Sequence, residues 1–120
     1  MRCIPSEPTV LGALVLMLVW MIPTDDTRAQ AAATVTLGRD TYEEFCGVCH
    51  GYDGAPLLPG APAFAKGERL EQSDTVLLKS ISQGKGDLMP AWQDILSEEE
   101  RVAILVYVRS MAAAAASGEN

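Results

Sequence analysis

Two cysteines and a histidine stand together in Cys46-Gly47-Val48-Cys49-His50, which has the pattern C-x-x-C-H. Two thiols at this spacing can add across the two vinyl groups on one edge of a porphyrin. A histidine directly after the second cysteine can then supply an imidazole nitrogen to the iron. His50 is the only histidine in the chain. The pattern therefore predicts one covalently attached haem c, bound through Cys46 and Cys49, with His50 as an axial ligand.

Three other interpretations of the cysteine pair remain open at this level. A C-x-x-C pair can be a thioredoxin-type redox disulfide, but that motif usually follows a strand, and the sequence has no convincing strand. A zinc site usually needs four nitrogen or sulfur ligands, and the chain after its leader has only three such residues in the motif. The third alternative is a chance match within a structural disulfide loop.

A haem iron needs a second axial ligand, and two methionines follow the motif, Met89 and Met111. Met111 continues the apolar face of the last predicted helix and is expected to be a core residue. Met89 lies in a loop bounded by glycine and Pro90, and a loop can wrap to the other face of a haem. A thioether ligand stabilises reduced iron and raises the reduction potential. We therefore expect Met89 to ligate the iron, with packing in the core as the alternative.

An uncharged apolar run of 13 residues occupies positions 10–22. It is shorter than the ~20 residues that span a bilayer, and it fits the apolar centre of a secretory signal peptide. Residues 1–31 are interpreted as this signal, with cleavage near residues 29–31, and Cys3 would leave with it. The predicted location is periplasmic, without stable membrane insertion after cleavage. The alternative is an uncleaved leader that anchors the protein in the membrane.

The predicted mature chain is one small domain. Residues 32–37 are expected to be a flexible start, residues 38–111 the folded domain and residues 112–120 a flexible tail. From Ala32 onward there are seven basic and thirteen acidic residues, a net charge of −6. This balance argues against nucleic-acid binding, which uses a basic face. It suits a redox partner with a basic docking face, although acidic residues also serve solubility alone.

Periodicity predicts three main helices joined by loops, and hence an all-α fold. The first is expected to run from about Gly38 into the cysteine pair. The second is expected over residues 74–83, with Ser73 as N-cap and Gly84 as the stop. The third begins after Ser97, which forms a capping box with Glu100. The Gly- and Pro-rich stretch between the second and third helices is predicted to be a loop.

These motifs resemble the class I c-type cytochromes, the small mono-haem family, over about residues 38–111. Members carry a glycine and an aromatic residue eight and four positions before the first haem cysteine, as Gly38 and Tyr42 do here. An aromatic residue of the last helix packs on that glycine, and Tyr107 matches it. The resemblance implies the cytochrome c fold, in which helices and loops wrap around one haem.

The resemblance also implies two residues in the haem surroundings. Family members have a turn whose proline carbonyl accepts the proton of the haem-ligating histidine, and Pro62 is similar, although Ala61 and Phe64 depart from the usual Gly and Leu. Trp92 follows a Met-Pro pair, as in bacterial members. It is expected to line the haem edge or donate its N–H to a propionate, with core packing as an equal alternative.

The sequence thus predicts an exported electron carrier and no enzyme of its own, because no catalytic constellation accompanies the haem motif. Single electrons would pass between redox partners while the iron cycles between Fe(II) and Fe(III). One alternative is a dedicated haem subunit of a periplasmic dehydrogenase or oxidase complex. A gas-binding or peroxidatic haem protein is a further alternative, and it would need an open sixth position on the iron.

Overall fold

The computed structural model describes residues 26–118. The apolar run at 10–22, most of the predicted signal peptide and the last two residues lie outside this part of the chain. Within it the chain is helical, as predicted, and the only β-type pairing is an isolated bridge between Lys85 and Met89. The elements are α1, α2, a 3-10 helix, α3 and α4, with bounds Asp26–Phe45, Gly47–His50, Phe64–Lys66, Asp74–Gln83 and Glu98–Ser117.

Helix α1 extends back to Asp26, the first residue that the structure describes, twelve residues before the predicted start at Gly38. Residues 32–37, expected to be a flexible start, are therefore helical. The Thr34 and Thr36 hydroxyls donate to carbonyls four residues back. Residues 26–33 are exposed, so intrinsic propensity rather than burial favours helix in this Ala-rich segment. The segment has no apolar stripe, so apolar periodicity does not predict this part of the helix.

Helix α4 has both halves of the predicted capping box. The Glu100 N–H donates to Ser97 Oγ at 3.2 Å, and the Ser97 N–H donates to Glu100 Oε2 at 2.8 Å. These bonds hold the pKa of Glu100 below its usual range. The helix continues six residues beyond Met111, through part of the predicted flexible tail. Gly118, with φ +74°, ends it by donating its N–H to the Ala114 carbonyl.

Helix α3 has the predicted bounds, with Ser73 at the N-cap and Gly84 after the last turn, although the Ser73 side chain makes no capping hydrogen bond. No helix among residues 26–118 is both long and apolar enough to cross a membrane.

The main packing contact is the crossing of α1 and α4. A Cβ on Gly38 would lie 2.0 Å from the carbonyl oxygen of Ala103, so only glycine lets the helices approach this closely. One turn later the rings of Tyr42 and Tyr107 meet edge to face, with centroids 5.5 Å apart. The predicted contact of Gly38 and Tyr42 with Tyr107 is confirmed. Beside this crossing lies the core cluster, formed by Tyr42, Leu96, Ile104, Val108 and Met111.

Candidate functional site

The C-x-x-C-H motif forms a single helical turn directly after α1. The Cys46 N–H donates to the Tyr42 carbonyl at 2.8 Å, which carries the direction of α1 into the motif. The N–H groups of Cys49 and His50 both donate to the Cys46 carbonyl, at 3.1 and 2.9 Å. This short helix, α2, places both thiols and the imidazole on the wall of one cavity.

That cavity has a volume of about 320 Å³ and a mostly apolar wall. Six residues singled out from the sequence, which come from three separate segments of the chain, all line it: Cys46, Cys49, His50, Pro62, Met89 and Trp92. Side chains of α4 also line the cavity, among them Ile104 and Val108. Phe64 and Leu58 also line it.

Met89 reaches the cavity from a closed five-residue hairpin. The Lys85 N–H donates to the Met89 carbonyl at 2.9 Å, and the Met89 N–H donates back to the Lys85 carbonyl at 3.3 Å. Gly84, with φ +74°, makes the turn possible, since a Cβ there would lie 2.4 Å from the Met89 carbonyl oxygen. Met111 is 9% exposed, belongs to the core cluster and is not on the cavity wall.

The His50 ring stacks on Phe64, with centroids 4.7 Å apart and planes 18° from parallel. Burial lowers the pKa of His50, and the Pro62 carbonyl acts in the opposite direction. The lowered pKa favours the neutral form of His50, the state in which imidazole binds a metal. Its Nδ1 is buried without a hydrogen bond of ordinary geometry. The expected bond to the Pro62 carbonyl is thus approached but not closed, and it stays a prediction.

Comparison with known proteins identifies the family. The family model described as "Cytochrome C oxidase, cbb3-type, subunit III" matches residues 33–108, more than half of the chain. This chain belongs to the class I c-type cytochromes. The cofactor of this cytochrome is therefore haem c, and the general role of the protein is that of an electron carrier.

Named relatives fall into two kinds. The cytochrome is 31% identical over 90 residues to the cbb3-type cytochrome c oxidase subunit CcoP of Azospirillum brasilense, and 37% identical over 76 residues to subunit FixP of Bradyrhizobium diazoefficiens. These matches cover 70% and 62% of this chain but only 30% and 26% of the relatives. Cytochrome c6 of Euglena gracilis is 32% identical over 83 residues, covering 65% of this chain and 93% of that protein. The cytochrome thus spans under a third of the oxidase subunits and nearly all of cytochrome c6.

The residues of the cavity fit haem c. An apolar wall suits the faces of a porphyrin, and the site offers thiols, a neutral imidazole and a thioether, which are donors that heme chemistry uses. Burial raises the pKa of the Cys46 thiol to about 11, whereas a redox-active C-x-x-C pair has a lowered thiol pKa. In the described part of the chain, no three histidine, cysteine or carboxylate side chains gather as a metal site. The raised thiol pKa weighs against the dithiol alternative.

Sequence reasoning missed a hydrogen bond that fixes the ligand turn. The buried Tyr42 hydroxyl donates to the carbonyl of Gly51, the residue after His50, at 2.8 Å. Burial raises the pKa of Tyr42, so its proton is retained for this bond. The resemblance had assigned Tyr42 to helix packing only, and nothing in the spacing indicates where its hydroxyl lies. Tyr42 therefore joins the α1–α4 crossing to the turn that carries the imidazole.

Trp92 lies on the cavity wall and also packs on Phe45, with ring centroids 5.5 Å apart and planes 63° from parallel. Its backbone N–H donates to the Ile81 carbonyl at the end of α3. The residue thus has both of the positions weighed from the sequence, at the cavity and against the core. Its proposed contact with a propionate stays a prediction.

Proposed function

We propose that this cytochrome is an exported mono-haem carrier in which Cys46 and Cys49 bind haem through thioethers and His50 and Met89 ligate the iron. The observation that carries the proposal is the convergence of these four side chains on one apolar cavity. The two cysteines and the histidine come from one helical turn, whereas Met89 comes from a hairpin some 40 residues later. Two separate segments therefore supply the donors that His/Met ligation requires.

Bound haem supplies an iron that changes between Fe(II) and Fe(III) without making or breaking bonds to a substrate. The chain's part is to hold the ligands and to limit water. Phe64 stacks on the His50 ring and so restricts its rotation. Met89 offers a soft thioether, which favours Fe(II) and raises the reduction potential. The apolar wall has the same effect, because a low dielectric disfavours the extra positive charge of the ferric state.

Covalent attachment is tested on the intact protein produced with a cytochrome c maturation system. We expect acid–acetone to leave the haem on the protein, and the reduced pyridine spectrum to report two thioether bonds. The Cys46→Ala variant should show one thioether, and the Cys46→Ala/Cys49→Ala variant should release any haem into the organic phase. Colour extracted from the unsubstituted protein would overturn the proposed attachment.

The proposed partners are redox proteins with a basic docking face. The whole chain has a formal net charge of −7, and the predicted mature chain has −6. We expect electron exchange with a cationic redox reagent to be fast at low salt and to slow as salt screens the charges, over a Debye length of about 10 Å at 0.1 M. An anionic reagent should show the opposite dependence. The measurement is the bimolecular rate against ionic strength, and equal responses of the two reagents would remove the steering role.

The relatives favour a second candidate, a haem subunit that stays bound within an oxidase or dehydrogenase complex. CcoP and FixP are by name subunits of a cbb3-type cytochrome c oxidase. The match to nearly the full length of cytochrome c6 favours the independent carrier instead. Purification without detergent from the periplasmic fraction, followed by size determination, separates the two. A diffusing carrier elutes at the size of one chain, and a subunit elutes with its partner.

A further inference from the structure

Ala63, the residue after Pro62, is hydrogen-bonded to Glu68 through both of its backbone polar groups. The Ala63 N–H donates to Glu68 Oε2 at 2.9 Å, and the Glu68 N–H donates back to the Ala63 carbonyl at 3.2 Å. Ala63 is 6% exposed, so its N–H has little access to water and depends on the carboxylate for a partner. A carboxylate acceptor makes a shorter and stronger bond than a neutral group does. Glu68 therefore orients the peptide that precedes Ala63.

The peptide that Glu68 orients also carries the Pro62 carbonyl. Between residues 26 and 118 every peptide bond is trans. The C=O and N–H of a trans peptide lie in one plane and point in opposite directions, so the Pro62 carbonyl points away from Glu68. Pro62 and His50 line the same cavity. Burial lowers the pKa of His50, and the Pro62 carbonyl opposes that shift. The carboxylate and the imidazole therefore lie at opposite ends of one peptide unit.

The backbone that follows Glu68 is held in a strained conformation. Arg69 has a φ of +66° and is the one non-glycine residue between positions 26 and 118 with a positive φ. A side chain is disfavoured in this left-handed region. Arg109 fixes the next residue, because its guanidinium donates to the Leu70 carbonyl at 2.8 Å. Strain that the surrounding structure maintains is typical of functional sites, and here it keeps Glu68 beside its partner.

From these contacts we infer that Glu68 is a positioning residue for the axial ligand, which acts through the Pro62–Ala63 peptide on His50. The inference rests on the proposed function, because it requires His50 to ligate haem iron. His50 Nδ1 is buried without a hydrogen bond of ordinary geometry, so the orientation of the Pro62 carbonyl decides whether this bond closes. Hydrogen bonds in a chain strengthen one another, so the carboxylate makes the carbonyl a better acceptor. A more basic imidazole stabilises Fe(III), and Glu68 thereby lowers the reduction potential.

The test compares Glu68→Ala, Glu68→Gln and Glu71→Ala with the unsubstituted holoprotein. Glu68→Ala removes both the charge and the acceptor for the Ala63 N–H, whereas Glu68→Gln keeps an amide oxygen that can accept the bond. Glu71 is an exposed carboxylate of the same segment, and its side chain makes no hydrogen bond or ion pair with the part of the chain that the structure describes. Glu71→Ala therefore measures the effect of one negative charge alone.

We expect Glu68→Ala to raise the ferrous-to-ferric ratio at a fixed applied potential by about two- to tenfold, the range that one hydrogen bond contributes to an equilibrium. Glu71→Ala should change this ratio less, because solvent and salt screen an exposed charge. In NMR spectra of the ferric protein, the Nδ1 proton of His50 should exchange with solvent about two- to tenfold faster in Glu68→Ala. Glu68→Gln should retain the slow exchange of this proton, because its amide oxygen still accepts from the Ala63 N–H.

Amide hydrogen exchange at Ala63 tests the first contact independently of the iron. Protection of this N–H should fall in Glu68→Ala and persist in Glu68→Gln. If Glu68→Ala does not load haem, Glu68→Asp gives the same comparison, because its carboxylate is one methylene shorter.

Three outcomes separate this role from a structural one and from the proposed function. A lower stability of Glu68→Ala with a ferrous-to-ferric ratio and an Nδ1 exchange rate no different from those of Glu71→Ala would overturn the inference. Unchanged protection of the Ala63 N–H would overturn it as well. Both results, in protein that retains covalent haem, leave the proposed function intact. Failure of the unsubstituted protein to bind haem covalently would instead overturn the proposed function.

Discussion

Replacing Met89 with alanine should abolish the weak far-red band that marks contact between ferric iron and a methionine sulfur. The variant should also lose on the order of 0.1–0.3 V of reduction potential, because axial-ligand identity is the strongest control that a protein has over haem potential. Met89 lies on the cavity wall, on a hairpin that no other ligand candidate shares. Optical spectra of the oxidised holoprotein and a potentiometric titration measure the two effects.

Met111→Leu is the matched control, since it removes the other methionine sulfur between residues 26 and 118. Met111 is buried in the core cluster, and a swap that conserves volume there costs less than about 1.5 kcal/mol. The band and the potential should persist. Loss of the band in this variant, with its retention in Met89→Ala, would exchange the roles of the two methionines.

Gly38→Ala should destabilise the cytochrome by about 3 kcal/mol or more, at the upper end of overpacking costs. The added methyl would meet the backbone carbonyl of Ala103, which cannot rotate away as a side chain could. Helix propensity alone predicts the opposite sign, since alanine is favoured over glycine within a helix by about 1 kcal/mol. The sign of the change in denaturant midpoint therefore decides between the two effects.

Glu44→Ala, an exposed substitution in α1, gives the reference for propensity without a packing change. Its free energy of unfolding should stay within about 0.5 kcal/mol of that of the unsubstituted protein. A Gly38→Ala protein as stable as this control would contradict the close α1–α4 crossing.

Local signals predicted the fold where a short motif determines the structure. The Ser97 capping box and the glycine stop of α3 fall at the predicted positions, because each depends on backbone groups within a few residues. The early start of α1 and the late end of α4 were missed. Both are Ala-rich segments that are exposed or only partly buried, in which helix formation reflects propensity and leaves no apolar stripe to read.

In the candidate site, too, some residues could be identified from the sequence and others only from the folded structure. The C-x-x-C-H motif and Met89 could be named from the sequence, since their residue types carry the chemistry. Arg69, which also lines the cavity, could not, because an arginine in a polar segment has no distinguishing pattern, and its unusual φ appears only in the folded chain. The bond from Tyr42 to the Gly51 carbonyl was likewise beyond reach, since a hydroxyl's partner depends on the side-chain geometry of the packed core.

The hairpin that carries Met89 has a consequence for the speed of electron transfer. The Met89 N–H and the Met89 carbonyl are both hydrogen-bonded to the backbone of Lys85, and the ring of Pro90, the next residue, fixes its own φ. With Met89 as ligand, only the side chain could move when the iron changes its charge. A small displacement means a low reorganisation energy, and a preorganised site does not have to rearrange at the moment of reaction. The loop that supplies the ligand would therefore favour rapid exchange of electrons as well as a high potential.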